Sequence, residues 1–147
     1  MQRQSGFTLI ELMVTVAIVA ILAGIAMPSY TSYVTRSKIT EATSSLLAMR
    51  VKMEQFYQDK LTYAGACTAG TVAPLPSGLK YFTITCPVRS ASAYTVQADG
   101  IDSMAGIIFT IDQANTRATT VTPGSAMAGH GYVDNAACWV SKPGGVC

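Results

Sequence analysis

A single carboxylate, that of Glu11, lies within a long apolar stretch near the start of the sequence. Between Phe7 and Met27 all other residues are apolar or small, apart from two threonines. An acidic residue at the middle of a membrane costs about 2.5–3.5 kcal/mol on insertion scales, so such a residue usually faces a partner. A neighbouring copy could supply that partner, because cleavage after Gly6 would leave the α-amine of Phe7 as a cation. This spacing indicates self-assembly, unless Glu11 lies close enough to the start of the stretch to reach the lipid headgroups by itself.

The four cysteines are the next candidates for chemistry, and they fall into two groups along the chain. Four cysteines allow three pairings; proximity in the chain, and the oxidising location of an exported protein, favour Cys67 with Cys86 and Cys138 with Cys147. Each such bridge would stabilise the fold by about 2–4 kcal/mol. A zinc site needs close cysteine pairs or a nearby histidine, whereas the only histidine is His130, between two glycines. We therefore predict disulfides, and neither a metal nor another cofactor.

The apolar stretch has the length of a membrane span. A helix over it would be about 30 Å long at ~1.5 Å per residue, which matches the hydrocarbon thickness of a bilayer. An ordinary secretory signal has a shorter apolar run with a cleavage site of small residues behind it. Here a short polar leader instead precedes the run and ends in Ser5-Gly6. We predict a leader peptide over residues 1–6, a membrane-spanning helix over residues 7–28 and a head domain over residues 29–147.

This start of the chain resembles the class III signal of type IV prepilins and pseudopilins. The residues that carry the resemblance are Gly6-Phe7-Thr8-Leu9-Ile10-Glu11, the apolar helix behind them, and Pro28 followed by Tyr30 and Tyr33. The resemblance extends from residue 5 to residue 36 and implies a type IV pilin of the type IVa prepilins, either major or minor. It implies that a membrane-embedded prepilin peptidase cuts between Gly6 and Phe7 and that the amine of Phe7 is then N-methylated. It also implies that Glu11 pairs with a neighbouring subunit during assembly.

Pro28 follows the apolar stretch and bears on assembly as well. Proline removes a backbone donor and crowds the preceding turn, so a bend is expected there although the helix need not end. In the pilins that this chain resembles, this zone lets the helix unwind within the filament. An inert kink is the alternative, and the sequence does not separate the two.

Composition limits the functions that the chain can have. With 147 residues there is room for one membrane helix and one small domain, whose core would gain from disulfides. The net charge is +2, and loss of Arg3 with the leader would leave nine basic and eight acidic residues. A composition with so little excess of basic residues gives no sign of the basic stripe that is typical of nucleic-acid binders.

Beyond Pro28 the apolar residues recur at steps of three and four, which is the pattern of an amphipathic helix. The residues on this stripe are Ile39, Ala42, Leu46, Met49, Met53 and Phe56. Charges of both signs occupy the other faces, as on a solvated surface. We predict a single helix from Phe7 to about Lys60, with the apolar stripe packed against a sheet.

The second half of the chain carries strand patterns. An uncharged stretch from Thr62 to Gly78, with several glycines and prolines, predicts a connecting loop. Runs of β-branched and aromatic residues then predict strands over Tyr81–Cys86, Ala93–Ala98 and Gly106–Ile111, with a fourth over Arg117–Thr122. Short links between the strands favour an antiparallel meander. The predicted fold is therefore α+β, a long N-terminal helix packed on a small antiparallel sheet, as in pilins.

These features favour a structural subunit over an enzyme, because the sequence offers no phosphate-binding loop, no reactive pair and no credible active site. We expect a type IV pilus subunit that polymerises with other pilins into a surface filament for adhesion, twitching motility or DNA uptake. Before assembly it would be anchored in the inner membrane. The Cys138–Cys147 pair favours a pilin over a type II secretion pseudopilin, and residues 50–59 resemble minor pilins more than major ones.

The alternative is a minor pilin whose head binds DNA during natural transformation. Cations and stacking aromatic rings together bind nucleic acids, and the chain offers candidates of both types. The cations are Lys80, Arg89, Arg117 and Lys142, and the aromatic residues are Tyr81, Tyr94 and Trp139. The sequence does not show whether they converge on one face; scattered surface cations with buried aromatic rings are the other interpretation.

Overall fold

The protein is described by a computed structural model that covers residues 6–147, except for the side chains of residues 28 and 29. Most of the predicted leader, including Arg3, therefore lies outside the described residues, as does the side chain of Pro28. The elements in chain order are the helix α1 (Leu9–Lys60), the strands β1 (Phe82–Arg89), β2 (Tyr94–Gly100), β3 (Ile107–Asp112) and β4 (Arg117–Val121), and the short helix α2 (Ala126–Gly129).

Local sequence signals set both ends of α1. The backbone N–H of Glu11 donates to the side-chain oxygen of Thr8 at 3.3 Å, and this Thr-x-x-Glu spacing is that of a capping box. At the other end Leu61 takes a left-handed conformation with a φ of 53°. A residue in this conformation stops a helix, so α1 ends at Lys60.

The chain divides into two compact units, Met1–Thr35 and Arg36–Cys147. In the first unit the side chains of residues 7–27 are all exposed. The helix there contains an 18-residue window of mean hydropathy 2.6, so that it is long and apolar enough to cross a membrane. Its backbone stays helical through residue 28, and the predicted single helix is confirmed with its start at Leu9. The division into units follows packing, whereas the boundary predicted after residue 28 follows hydropathy.

The four strands form one antiparallel sheet in the order β1-β2-β3-β4, which confirms the predicted meander. Side chains alternate between the two faces of the sheet. The inner face is buried and apolar, whereas the outer face is rich in hydroxyl groups. The threonines on that outer face are Thr83, Thr85, Thr95, Thr110 and Thr120.

Both outer edges of the sheet are interrupted. In β1 the register shifts between Thr85 and Val88, at the position of Pro87, which has no backbone N–H to donate. Along β4, Thr119 exchanges two backbone hydrogen bonds with Asn135, at 2.7 and 3.0 Å. The segment after α2 therefore covers the outer side of β4.

The apolar stripe of α1 and the inner face of the sheet form one core. All stripe residues that the sequence predicts are buried, with exposed fractions between 0 and 5%. They belong to the same cluster as Phe82, Tyr94 and Phe109 of the strands. The described core residues all lie between Ile39 and Val140, so the unit formed by residues 36–147 contains its own core.

Two neighbouring leucines of α1 test this assignment of the core face. Leu46 is fully buried, so Leu46→Ala should lower the free energy of unfolding of the head by about 2–5 kcal/mol. Leu47 is 40% exposed, and Leu47→Ala is the matched control, with an expected change below about 1 kcal/mol. Urea unfolding followed by circular dichroism measures both changes, and equal losses would contradict the assignment.

Candidate functional site

The start of α1 presents an exposed apolar surface that carries one carboxylate. Phe7 is 89% exposed, and Gly6 before it is open, with nothing within 4 Å of the position that a Cβ would take. Glu11 is exposed, and within the described residues its carboxylate has no hydrogen-bond or ion-pair partner. An apolar surface of this size calls for a cover of lipid or of other helices.

Glu11 has a second, local role as the acidic residue in the first turn of α1. A carboxylate in the first turn interacts favourably with the partial positive charge at a helix N-terminus. The Thr8-x-x-Glu11 spacing is the sequence signal for this role. The prediction from the sequence considered Glu11 only as a charge within a membrane helix and therefore missed this signal. The same side chain thus stabilises the start of the helix and remains available to a partner.

Disulfides fix the loops that come before and after the sheet in the chain. The pairs are Cys67–Cys86 and Cys138–Cys147, the pairing that proximity along the chain favours. The first pair ties the connecting loop to β1, and the sulfur of Met53 lies 3.7 Å from that of Cys67. Its cross-link is therefore part of the core.

The second disulfide closes the C-terminal loop, residues 138–147. Thr119 of β4 holds the start of this loop, because its hydroxyl donates to the carbonyl of Cys138 at 2.9 Å and accepts from the backbone N–H of Val140 at 2.9 Å. Thr119 is itself buried. Thr119 therefore anchors the start of the C-terminal loop on the sheet, and the disulfide joins the two ends of the loop.

At one flank of the head segment of α1, a lysine of the helix and a lysine of the chain before β1 lie beside an aromatic ring. The ammonium groups of Lys38 and Lys80 lie 4.8 and 5.3 Å from the ring centre of Tyr81, and we call these residues the Tyr81 cluster. Glu41 on the same flank accepts the backbone N–H groups of Lys80 and Tyr81, each at 2.8 Å. Glu41 therefore ties the helix to the chain entering β1, although the sequence pattern places it among the solvated charges.

The other flank of the helix forms an open pocket of about 880 Å³ with the C-terminal loop. Arg36 and Leu47 line it from α1, Arg117 from the start of β4, and Trp139 from the C-terminal loop. The guanidinium carbon of Arg117 lies 4.8 Å from the ring centre of Trp139, whose indole N–H donates to the carbonyl of Thr110 at 2.8 Å. We call this cavity the Arg117 pocket.

The residues predicted as a DNA-binding set fall into two pairs rather than one face. Lys80 joins Tyr81 on one flank of α1, and Arg117 joins Trp139 on the other. Tyr94 is fully buried and has no free ring face for a base. The remaining candidates, Arg89 and Lys142, are exposed and belong to neither pair.

Three tyrosines gather around Glu54 near the end of α1. The rings of Tyr57 and Tyr63 lie 4.6 Å apart, and those of Tyr63 and Tyr94 lie 4.7 Å apart. The hydroxyl groups of Tyr63 and Tyr94 both donate to the Glu54 carboxylate at 3.4 Å. Burial, and after it the negative charge of Glu54, raises the pKa of Tyr94 well above its ordinary value, and the same causes raise the pKa of Tyr63.

Among the residues that the structure describes, no three His, Cys, Asp or Glu side chains lie close enough together to hold a metal ion. His130 is exposed at the end of α2, where its backbone N–H donates to the carbonyl of Ala126 at 3.0 Å. This histidine terminates a short helix and is not close to a nucleophile in the sequence.

Comparison with known families gives two matches that together cover most of the chain. The family described as the type IV minor pilin ComP, DNA uptake sequence receptor, matches residues 28–107. The prokaryotic N-terminal methylation motif matches residues 1–27. The two matches meet between residues 27 and 28.

Individual relatives are named as type IV pilins or fimbrial proteins. The type IV major pilin protein PilA of Myxococcus xanthus is 33% identical over 82% of this chain and 57% of its own length. The type IV major fimbrial protein FimA of Dichelobacter nodosus is 41% identical over 65% of this chain and 58% of its own length. The chain thus spans little more than half the length of these relatives.

A solved structure is similar as well. The crystal structure of the non-core minor pilin PilV of Neisseria meningitidis superposes with a TM-score of 0.53 and 25% identity, over 64% of this chain and 94% of that one. A long helix on an antiparallel sheet is thus the fold of this chain and of a pilin.

The buried tyrosines predict a loss of stability in alkaline solution. Above about pH 10 the unfolded chain releases the proton of Tyr94, whereas the folded chain keeps it because its pKa is raised. The unfolded state then binds fewer protons, so the free energy of unfolding falls as the pH rises, and the contribution is complete below about pH 10. Tyr94→Phe should flatten this fall.

Urea unfolding of the head at several values between about pH 9 and pH 11 measures the slope. Tyr57→Phe is the matched control, since Tyr57 stacks in the same cluster but makes no hydrogen bond to Glu54. A slope that stays the same in Tyr94→Phe would show that other groups cause the alkaline loss.

Proposed function

Because this chain belongs to the type IV pilin family, with more than half of its length matching the minor pilin ComP, we propose that it is a structural subunit of a type IV pilus. In this proposal a prepilin peptidase removes residues 1–6, the new amine of Phe7 is methylated, and the helix joins those of other pilins. The role is structural rather than enzymatic.

The observation that carries this proposal is the exposed apolar surface of α1 with a single carboxylate near its start. In the membrane, lipid covers such a surface; in a filament, neighbouring helices replace the lipid at little cost, since both surroundings are apolar. A charged group is different, because in an apolar medium it requires a counter-charge. The amine of Phe7 on a neighbouring subunit supplies that counter-charge to Glu11.

Pairing of one end of the helix with a neighbour also explains why the product would be a filament. A contact between two different surfaces of the same subunit repeats without closing, unless the rotation happens to form a ring. The subunit is held in the inner membrane until it is incorporated, and its head is then displayed on the cell surface. The match to ComP and the likeness to PilV favour a minor pilin, whereas the relatives PilA and FimA are named as major pilins, so the proposal covers both roles.

DNA binding by the head is the second candidate function, and the description of the matching family as a DNA uptake sequence receptor favours it. The Tyr81 cluster is the place where we expect it. Two ammonium groups lie close together beside one partly exposed ring, so they could contact DNA phosphates together. The acidic Glu41 is occupied by backbone N–H groups on this flank, and it therefore opposes an approaching phosphate less than a free carboxylate would.

The assembly role of Glu11 is tested with Glu11→Gln, which keeps the shape of the side chain and removes its charge. The variant should be cleaved normally, but its amount in sheared filaments should fall by about tenfold or more, as expected for the loss of one partner from a desolvated charge pair. Immunoblots of filaments and envelopes measure the incorporation. Incorporation at the wild-type level would rule out the pairing.

Gly6→Ala is the companion variant, because it acts on cleavage and leaves Glu11 in place. It should retain the leader, so that no amine forms at Phe7, and it should be absent from filaments. Mass spectrometry of the N-terminal peptide separates the two variants. A processed Gly6→Ala protein would refute the assigned cleavage position.

The DNA role is tested by gel shift of the head, residues 29–147, with duplex DNA at rising salt. Lys38→Gln with Lys80→Gln should weaken binding by about tenfold at low salt and flatten the salt dependence, since each lost phosphate contact lowers the slope by about one. Lys60→Gln with Lys142→Gln removes the same charge outside the Tyr81 cluster and is the control. Equal effects of the two pairs, or no shift of the wild-type head, would remove this candidate.

A further inference from the structure

We infer that the Arg117 pocket binds a sugar ring that carries a carboxylate, such as a hexuronic acid. This inference goes beyond the proposed filament role and does not depend on it, because the pocket lies wholly within the head unit. The pocket volume of about 880 Å³ lies in the range of small-molecule sites, roughly 300–1,000 Å³. The charge of the pocket, its polar lining and the ring of Trp139 each limit the chemical class of ligand that it can bind.

The charge of the pocket calls for an anion. Arg36 and Arg117 both line it, and its lining contains no aspartate or glutamate; the α-carboxylate of Cys147, which also lines it, offsets only one of the two cations. Within the described residues neither guanidinium has a carboxylate at ion-pair distance. Arg117 is also partly buried, so that its charge is less well solvated than that of a free surface arginine. A guanidinium presents parallel N–H donors that match the two oxygens of a carboxylate.

The polar lining calls for hydroxyl groups on the ligand. The hydroxyl of Thr40 donates to the carbonyl of Arg36 at 3.0 Å, and that of Thr43 donates to the carbonyl of Thr40 at 3.3 Å. Their protons are therefore used within the helix, and their oxygens can only accept. An acceptor is suited to the O–H donors of a sugar. The other polar residues of the lining are Asn115, Thr116 and Ser141.

The aromatic wall argues against a nucleic acid in this pocket. The guanidinium of Arg117 already lies over the ring of Trp139, and the indole N–H is held by the Thr110 carbonyl. A base that stacked on that ring face would have to displace the cation. The phosphodiester backbone also lacks hydrogen-bond donors, so it could not bond the acceptor oxygens of Thr40 and Thr43. A carboxylated sugar meets both the cations and the acceptors.

Trp139 is the only tryptophan of the chain, so its fluorescence reports on the pocket directly. Digalacturonic acid is titrated into the head, with the corresponding neutral galactose disaccharide and a thymidine dinucleotide as comparisons. We expect a saturable change with digalacturonic acid and binding at least about tenfold weaker for the neutral sugar, the loss typical of a missing charged hydrogen bond. No saturable change, equal affinity for the neutral sugar, or tighter binding of the dinucleotide would each overturn the inference.

Variants separate the pocket from non-specific attraction of anions. Arg36→Gln and Arg117→Gln should each weaken binding of digalacturonic acid by about tenfold, whereas Lys60→Gln removes the same charge at the end of α1 and should leave the affinity unchanged. Circular dichroism and the melting temperature show whether each variant is folded. If Arg117→Gln does not fold, Arg36→Gln decides, and wild-type affinity of a folded arginine variant would overturn the inference. Filament incorporation of these variants should stay normal, so the failure of this proposal is distinct from that of the filament role.

Discussion

Burial of the apolar stripe of α1 against the inner face of the sheet fixes the positions of the polar and aromatic groups on the two flanks of the helix. The stripe is one-sided, so the helix can present its two flanks to different parts of the chain. One flank meets the chain entering β1, and the other faces the hairpin of β3 and β4 together with the C-terminal loop. Loss of the stripe would therefore remove both the Tyr81 cluster and the Arg117 pocket, although neither contains a buried aliphatic residue of the strands.

The same helix meets two different physical demands along its length. Over residues 7–27 its side chains are all exposed and, apart from Glu11 and two threonines, apolar or small, which suits lipid or other helices. In the second unit only one stripe is apolar, which suits a sheet on one side and water on the other. The change between the two patterns requires no break in the backbone, because both are compatible with continuous helical hydrogen bonding. A chain built in this way keeps a folded head whether its first unit is surrounded by lipid or by other subunits.

Much of this architecture could be predicted from the sequence, because periodicity reports burial directly. The stripe from Ile39 to Phe56 and the order of the strands followed from apolar spacing and β-branched runs. The ends of β1 were harder to predict, since Pro87 and a register shift lie inside the strand and propensity alone suggested a stop at Cys86. Proximity along the chain also favoured the disulfide pairs, because closing a short loop costs less conformational entropy than closing a long one.

The polar features were less predictable, because they depend on which distant groups the fold brings together. Glu41 looked like one more solvated charge, yet it accepts two backbone N–H groups some forty residues away in the chain. The predicted cationic and aromatic residues separated onto two flanks because the helix lies between them. No pattern within the sequence gives the position of Thr119, whose hydroxyl holds the C-terminal loop on β4.

The interrupted edges of the sheet matter for the proposed filament, in which the subunits associate through their helices. Heads in a fibre are crowded side by side, and an open strand would invite its neighbour to extend the sheet, as in amyloid. The proline and register shift of β1, and the cover that Asn135 places over β4, make such fusion unfavourable on both sides. In the proposed filament, subunits that have not exchanged strands would separate again as intact monomers.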